Sequence, residues 1–561
     1  MNFLQPMSVM PMSKTKASAL AVAAVLVAGP GRAAEAAADL VIVNGRMPTV
    51  ASPNATALAV RGGRIVTIGT DAKVSALRGP RTRVIDARGR TVLPGFNDNH
   101  VHLSWGAPTL FMPDVRNEKN VAGIVARVRA HAAANPNLTW VEAGGFGLEQ
   151  IEGGRPTRQM LDAAVADRPV VLWSLDRHMA WANSKALELA GVTRETRDPP
   201  HGIIERDPAT GEPTGWFKEF SALDLLTNAM PKPSVAEQRE RMTAAMREAH
   251  KFGVTAVAEA TGSIEEYKVL DDMQKSGDLN LRVTYALPVR PGFTDADFQR
   301  YQTFWKANPP SDTLKAGAVK MFLDGVPQAH TAFLLHPYGP QPMEGQPAYE
   351  PSDLKKEVRR FDAAGWQVMI HAMGDAAVRL ALDSYEEAAK ANPAPARGRR
   401  HRIEHVFIMD PVDVPRFAKL NVIAAYQPTD VFLPPSTQPV PPAPNKPPQD
   451  SARWNAIQAA KGHAAFGSDW PVFTMNALAR IYAIANSRRA DQRMPVVKAI
   501  DTYTRESAYA TFDDADQGAL EPGKFGDIAI LSRDILANPP TKPEDLAVDM
   551  TIFNGKVVYE R

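Results

Sequence analysis

Between residues 96 and 504 the chain alternates short apolar runs with longer amphipathic stretches, and this alternation constrains the fold more than any other feature. The runs cover residues 253–259, 281–287, 316–324, 366–371, 401–405, 421–427 and 463–469, each of strand length. Helical periodicity fills most of the gaps, as in residues 235–252, 352–364 and 375–392. An eighth run opens the series in residues 93–104, where Pro94 and Gly95 mark a turn before the strand. Alternate side chains of a strand share a face, so His100 and His102 point the same way and Val101 points into apolar packing. Eight strand–helix units predict an α/β fold, a (β/α)8 barrel whose chemistry lies at the C-terminal ends of its strands.

The flanks read differently. Residues 37–95 and 505–561 are short strands and turns, with Asn44-Gly45 echoed by Asn554-Gly555. They predict one small β-sandwich built from both termini. Residues 105–235 exceed what one crossover needs and carry a strand at 169–173 and a helix at 184–190. They are expected to form an inserted α/β subdomain lying over the active-site face. Residues 433–450 are proline-rich and predict an extended loop after the seventh strand, a lid or a spacer.

The chain has no cysteine, which excludes disulfides, thiolate metal sites and a cysteine nucleophile. A formal net charge of +2 gives no basis for binding nucleic acid or a membrane surface. Residues 1–36 resemble a cleaved signal peptide. Lys14 and Lys16 precede an apolar run at 17–28, and Ala34-Glu35-Ala36 offers a small-x-small cleavage site. The run is too short to span a bilayer, so the mature protein is expected to be periplasmic or secreted, with no membrane anchor.

Five strand ends offer metal ligands: His100 and His102 from the first, Lys320 from the fourth, His371 from the fifth, His405 from the sixth and Asp469 from the eighth. Four of the 12 histidines fall at these matching places. Without thiolates, such a set suits Zn, Mn, Fe or Ni.

These residues sit in a recognisable series: Pro94-Gly95-Phe96 through His102, Val319-Lys320 through Gly325, His371-Ala372-Met373-Gly374-Asp375, His401 through His405, and Gly467 through Pro471. Asp176-Arg177-His178, Trp181 through Ser184, Pro213-Thr214-Gly215 and Leu520 through Lys524 accompany them. The chain resembles the amidohydrolase superfamily, in the YtcJ-like branch called amidohydrolase family 3, over nearly its whole mature length.

The resemblance implies two divalent metals, zinc first. His100, His102 and Asp469 would hold one, and His371 and His405 the other. Lys320, as a carbamate formed with CO2, would bridge them, and Glu219 is a rival bridging carboxylate. The metals would activate a water to hydroxide. Asp469 would take its proton and pass it to the leaving nitrogen, and His178 would support the oxyanion. Glu404 and Asp375 would orient ligands. Asp176, Asn183, Glu219, His330 and Trp470 are candidate substrate contacts. Ala372 and Met373 stand where single-metal deaminases of the superfamily carry a glutamate, which argues against a nucleobase deaminase.

The implied function is hydrolysis of a C–N bond in a linear or N-substituted amide. Cyclic amides, carbamates or esters are alternatives on the same site, and a non-catalytic periplasmic binding protein is the alternative of another class. The partners implied are a small-molecule substrate and a second copy of the chain in a homodimer.

Overall fold

The computed structural model describes residues 36–47, 54–327, 331–336, 345–428, 453–487, 489–537 and 542–561. The expected signal peptide, the proline-rich loop and His330 lie outside the described residues.

The centre is an eight-stranded, all-parallel sheet. Its strands, in chain order, are β1 Phe96–Val101, β2 Val254–Glu259, β3 Arg282–Val289, β4 Leu314–Phe322, β5 Gln367–Ala372, β6 Arg402–His405, β7 Ile423–Tyr426 and β8 His463–Phe466. Each pairs with the next, from β1 to β8. The seam between β8 and β1 is drawn together just beyond the strands. Asp469 N donates to His100 O (2.7 Å) and His102 N to Trp470 O (2.8 Å). The sheet is thus nearly closed into the predicted (β/α)8 barrel. Helices such as Val235–Lys251, Pro351–Ala363 and Asp375–Ala391 connect the strands.

Strand alternation explains the barrel's two faces. Val283, Leu287, Val319, Val368, Ile370 and Ile403 point outward into the main core beneath the helices. Inside, the small side chains of Ala260, Ala286 and Ala318 cluster with Met369, leaving room at the same end for polar groups. Strand limits differ from expectation by one to three residues. The largest effect is on Lys320, which lies inside β4 rather than at its end.

Two four-stranded sheets flank the barrel. One comprises Leu40–Val43, Ala57–Arg61, Arg64–Gly69 and Arg83–Asp86. The other joins Val92–Pro94 to Ile528–Leu531, Val548–Phe553 and Lys556–Glu560. Leu40, Ile42, Leu58 and Ile85 share a buried core with Val92, Ile530 and Ile552. A buried ion pair, Arg282 Nε to Asp527 Oδ2 at 2.6 Å, ties the foot of β3 to the second sheet. Between this sheet and β1 the chain turns at Gly95, where a Cβ would fall 2.1 Å from Thr255 Oγ1.

The insertion after β1 holds a five-stranded sheet: Ile203–Arg206, Pro213–Lys218, Met179–Ala182, Val170–Ser174 and Val141–Phe146. It has its own core of Val141, Leu172, Trp181 and Phe146. Its loops bring His178 and Phe220 to the cavity at the barrel's C-terminal end.

Candidate metal centre

β1 carries Asp98 and His100 on its inner face, and the chain leaves the strand at His102. His100 Nε2 and His102 Nε2 lie 3.3 Å apart. Asp469 Oδ1 is 3.4 Å from the first and 3.2 Å from the second. Among the described residues, these three form a group whose ligand atoms all lie within 4.8 Å of one another. The rings of His371 and His405 stand beside it, with centroids 4.5 Å apart and His405 5.0 Å from His100.

His405 reaches the site through an irregularity. The parity that turns Arg402 and Glu404 inward would send His405 outward. Left-handed backbone at His405 (φ 75°) and Val406 (φ 45°) swings the ring back. Asp469 is also left-handed (φ 57°). Such conformations cost energy and persist where the surroundings enforce them, commonly at functional sites.

Each imidazole has one nitrogen engaged away from the centre. His100 Nδ1 donates to Glu404 Oε2 (2.5 Å), and Arg402 pairs with both oxygens of Glu404 (2.8 and 2.9 Å). His102 Nδ1 lies 2.7 Å from Thr261 Oγ1. His371 Nε2 meets Gly325 O (3.2 Å) and His405 Nδ1 meets Gln427 Oε1 (2.7 Å). Partners of this kind fix the tautomer and leave the other nitrogen as donor atom to a metal. Burial holds the pKa of His100, His371 and His405 well below the usual histidine range, so the rings are neutral, the ligating form.

Lys320 lies fully buried among these groups, and its Nζ has no hydrogen-bond partner among the described residues. It sits 4.4 Å from the ring centroid of Phe322. Burial lowers its pKa to about 8, against the pull of Glu404 and Asp469. A buried ammonium without a hydrogen-bond partner is costly. Carboxylation would turn it into an anionic oxygen ligand, suited to metal ions held by the surrounding imidazoles and Asp469. On donor chemistry and on this orphaned atom, the residues present fit a divalent metal site.

The insertion supplies the other wall. His178 Nδ1 donates to Glu219 Oε2 (2.8 Å), and Thr331 Oγ1 donates to Glu219 Oε1 (2.7 Å). Burial alone would lower the His178 pKa, but the charge and hydrogen bond of Glu219 outweigh it and the net shift is upward. The His178 and His371 rings are 5.5 Å apart. Glu219, a rival bridge in the sequence, is thus occupied in orienting His178. Asp176 lines the cavity and accepts from His178 N (3.1 Å).

Two other sequence candidates are placed elsewhere. Asn183 does not line the cavity. It caps the helix Ser184–Leu189, accepting from Ala186 N and Val170 N and donating to Val165 O and Arg168 O. The Trp470 ring packs on Gly106 outside the cavity lining, and its carbonyl closes the barrel seam. Asp375 accepts from Leu335 N and Ala376 N. Residues the sequence did not mark are Thr261, Gln427 and Trp105, whose ring stacks on His102 at 4.1 Å. Position just beyond a strand end is the one signal Gln427 carried.

The sequence pattern of the Amidohydrolase family matches residues 83–559. Protein LONG AFTER FAR-RED 3 of Arabidopsis thaliana is 30% identical over 543 residues, 93% of this chain and 92% of its own length. An N-substituted formamide deformylase of Arthrobacter pascens is 27% identical, covering 93% of this chain and 98% of its own. The crystal structure of an uncharacterized metal-dependent hydrolase from Pyrococcus horikoshii superposes with a TM-score of 0.72 at 23% identity, over 90% of this chain and 99% of that one. With the barrel and its cluster of buried histidines in place, the extent of these matches makes the chain a member of the amidohydrolase family and a hydrolase.

Proposed function

We infer that the protein hydrolyses the C–N bond of a linear or N-substituted amide, with two divalent metals, zinc first, bridged by a carboxylated Lys320. The observation that carries this is the buried Lys320 Nζ, unpartnered among the described residues, amid four imidazoles whose pKa burial lowers and Asp469. His100, His102 and Asp469 would hold one metal, and His371 and His405 the other. Bound there, such ions lower the pKa of water and polarise a carbonyl.

The chain's own groups supply the remaining chemistry. Asp469 faces the cavity, takes the proton of the attacking water and returns it to the leaving nitrogen. His178, held through Nδ1 by Glu219, presents Nε2 to the carbonyl oxygen and stabilises the charge that develops on it. Trp105, Phe220 and Phe322 wall the cavity with apolar surface and limit access of bulk water. The leader pattern around Lys14 and Lys16 supports export, with a small-molecule substrate met in the periplasm or outside the cell. Assembly as a homodimer completes the proposal.

Elemental analysis of the purified protein and of Lys320→Ala tests this reading, together with assays on small amides. About two metals per chain are expected, falling to one or none in the variant. Two metals retained by the variant would remove Lys320 as the bridge. A single metal in the parent, after supply of zinc and bicarbonate, would replace the two-metal reading with a one-metal centre at His100, His102 and Asp469.

A further inference from the structure

The cavity beside the metal centre is small, about 90 Å³, the share of roughly three waters. A second cavity of about 600 Å³ adjoins it, within the range of roughly 300–1,000 Å³ typical of small-molecule sites. The two share Phe220 and Phe322 as a common wall. These rings touch, with centroids 4.7 Å apart, and line both spaces, so a substrate reaching from one into the other lies against them.

The larger cavity is built at the ends of β3 and β4, by Val289, Phe322 and Asp324, and is roofed by Ile203 and Phe220 of the insertion. Ala348 and Tyr349 close its side. The basic side chains of Lys218 and Arg290 on its wall are already paired, with Glu205 (2.5 Å) and Asp224. Asp324 is committed to the backbone N–H groups of Phe333, Met373 and Gly374. Lys218, Arg290 and Asp324 are thus committed, His201 remains among the lining residues as an imidazole, and the rest of the wall offers a neutral apolar occupant aromatic and aliphatic surface.

Position then decides which half of an amide enters. Asp469, which serves the leaving nitrogen, follows β8. In an eight-stranded ring β4 lies across from β8. The nitrogen belongs on the Asp469 side, so the carbon substituent of the carbonyl points toward β4. We propose that the cavity behind Phe220 and Phe322 binds the acyl side of the substrate, and that the substrate class is amides of bulky, neutral, apolar carboxylic acids. This rests on the amide-hydrolase reading above. Hydrolysis adds water across the C–N bond: the acyl carbon gains oxygen, the nitrogen gains a proton, and the apolar acid and the amine leave.

Two constitutional isomers provide the test. 2-Phenylacetamide carries its bulk on the acyl side and N-benzylformamide on the nitrogen side. Metal-loaded full-length protein is expected to favour 2-phenylacetamide by about tenfold or more in kcat/KM. Ala348→Phe and Ile203→Trp, filling the cavity from its side and its roof, are expected to shrink that ratio by about tenfold. Circular dichroism and melting of both variants show that each is folded, and a variant that fails leaves the other to decide. Calorimetric binding of 2-phenylacetamide to metal-depleted protein gives a readout without turnover. Equal or reversed preference, or a preference that a folded, cavity-filled variant leaves untouched, would overturn the assignment. If neither isomer is hydrolysed but both variants weaken 2-phenylacetamide binding, the acyl cavity stands and amide hydrolysis falls. If small amides are hydrolysed and 2-phenylacetamide does not bind, the cavity assignment falls and the reaction stands.

Discussion

Glu404 accepts from His100 Nδ1 at 2.5 Å while both of its oxygens are held by Arg402. One carboxylate thus orients a ligand and neutralises a buried guanidinium. Glu404→Gln is expected to weaken metal affinity by roughly 10- to 100-fold. It is also expected to cost about 3–5 kcal/mol of stability, because Arg402 loses its counter-charge. Adding Arg402→Met should restore stability and leave metal affinity low. Chelator competition and urea unfolding separate the two effects, and recovery of metal affinity in the double variant would contradict this division of roles.

His178 and Glu219 act as a unit. His178→Asn is expected to lower kcat by about 10²–10³ with little change in KM, the signature of an interaction made in the transition state. Glu219→Gln should have a smaller effect, and the double variant should be no worse than His178→Asn alone. Additive losses would show that Glu219 contributes independently of His178.

Much of this was legible in the sequence, for physical reasons. A barrel strand is buried on both faces, so β2, β3 and β5 appear as apolar runs whatever packs on them. Histidine is scarce here, so its recurrence at strand ends carries information. The insertion was less legible. Ile203–Arg206 and Pro213–Lys218 are short and mixed in polarity, and they become strands only beside Met179–Ala182. Thr261 gave no signal because an uncharged polar side chain looks the same in any loop, and Gln427 gave only its place at the end of a strand. The hydrogen bond of Glu219 to His178 was not legible, because the left-handed backbone at Glu219 (φ 65°) has no mark in sequence. Asn183 stood in a motif, yet its amide is spent on the local backbone.

A Cβ at Gly106 would fall 2.2 Å from the Trp470 ring. Gly106→Ala must therefore displace an indole whose carbonyl holds His102 N. A stability loss of about 1–3 kcal/mol is expected, with weakened metal binding alongside. Chemical denaturation and metal titration of the variant check both, and an unchanged protein would mean the ring moves freely.

His250 lies where a barrel helix meets the second sheet. Its Nε2 is 3.0 Å from Asn280 O, and Thr551 Oγ1 donates to its carbonyl. Burial lowers its pKa from 6.5 to about 4. The unfolded chain therefore binds a proton that the folded chain refuses. The stabilisation is whole above pH 6.5 and is lost as pH falls toward 4. Between about pH 7.5 and about pH 5, the parent is expected to lose about 2 kcal/mol more than His250→Gln. Unfolding curves of the two proteins at both pH values measure the difference, and parallel losses would exclude His250 as the source.

The seam joining His100 and His102 to Asp469 and Trp470 links residues almost four hundred positions apart through two backbone hydrogen bonds. His100, His102 and Asp469 are therefore brought together by ring closure, a contact of large chain separation that is slow to find by diffusion. A chain that has formed seven strands but not docked the eighth has two histidines and no carboxylate opposite them. A metal site built on these three side chains would thus exist only in the finished ring.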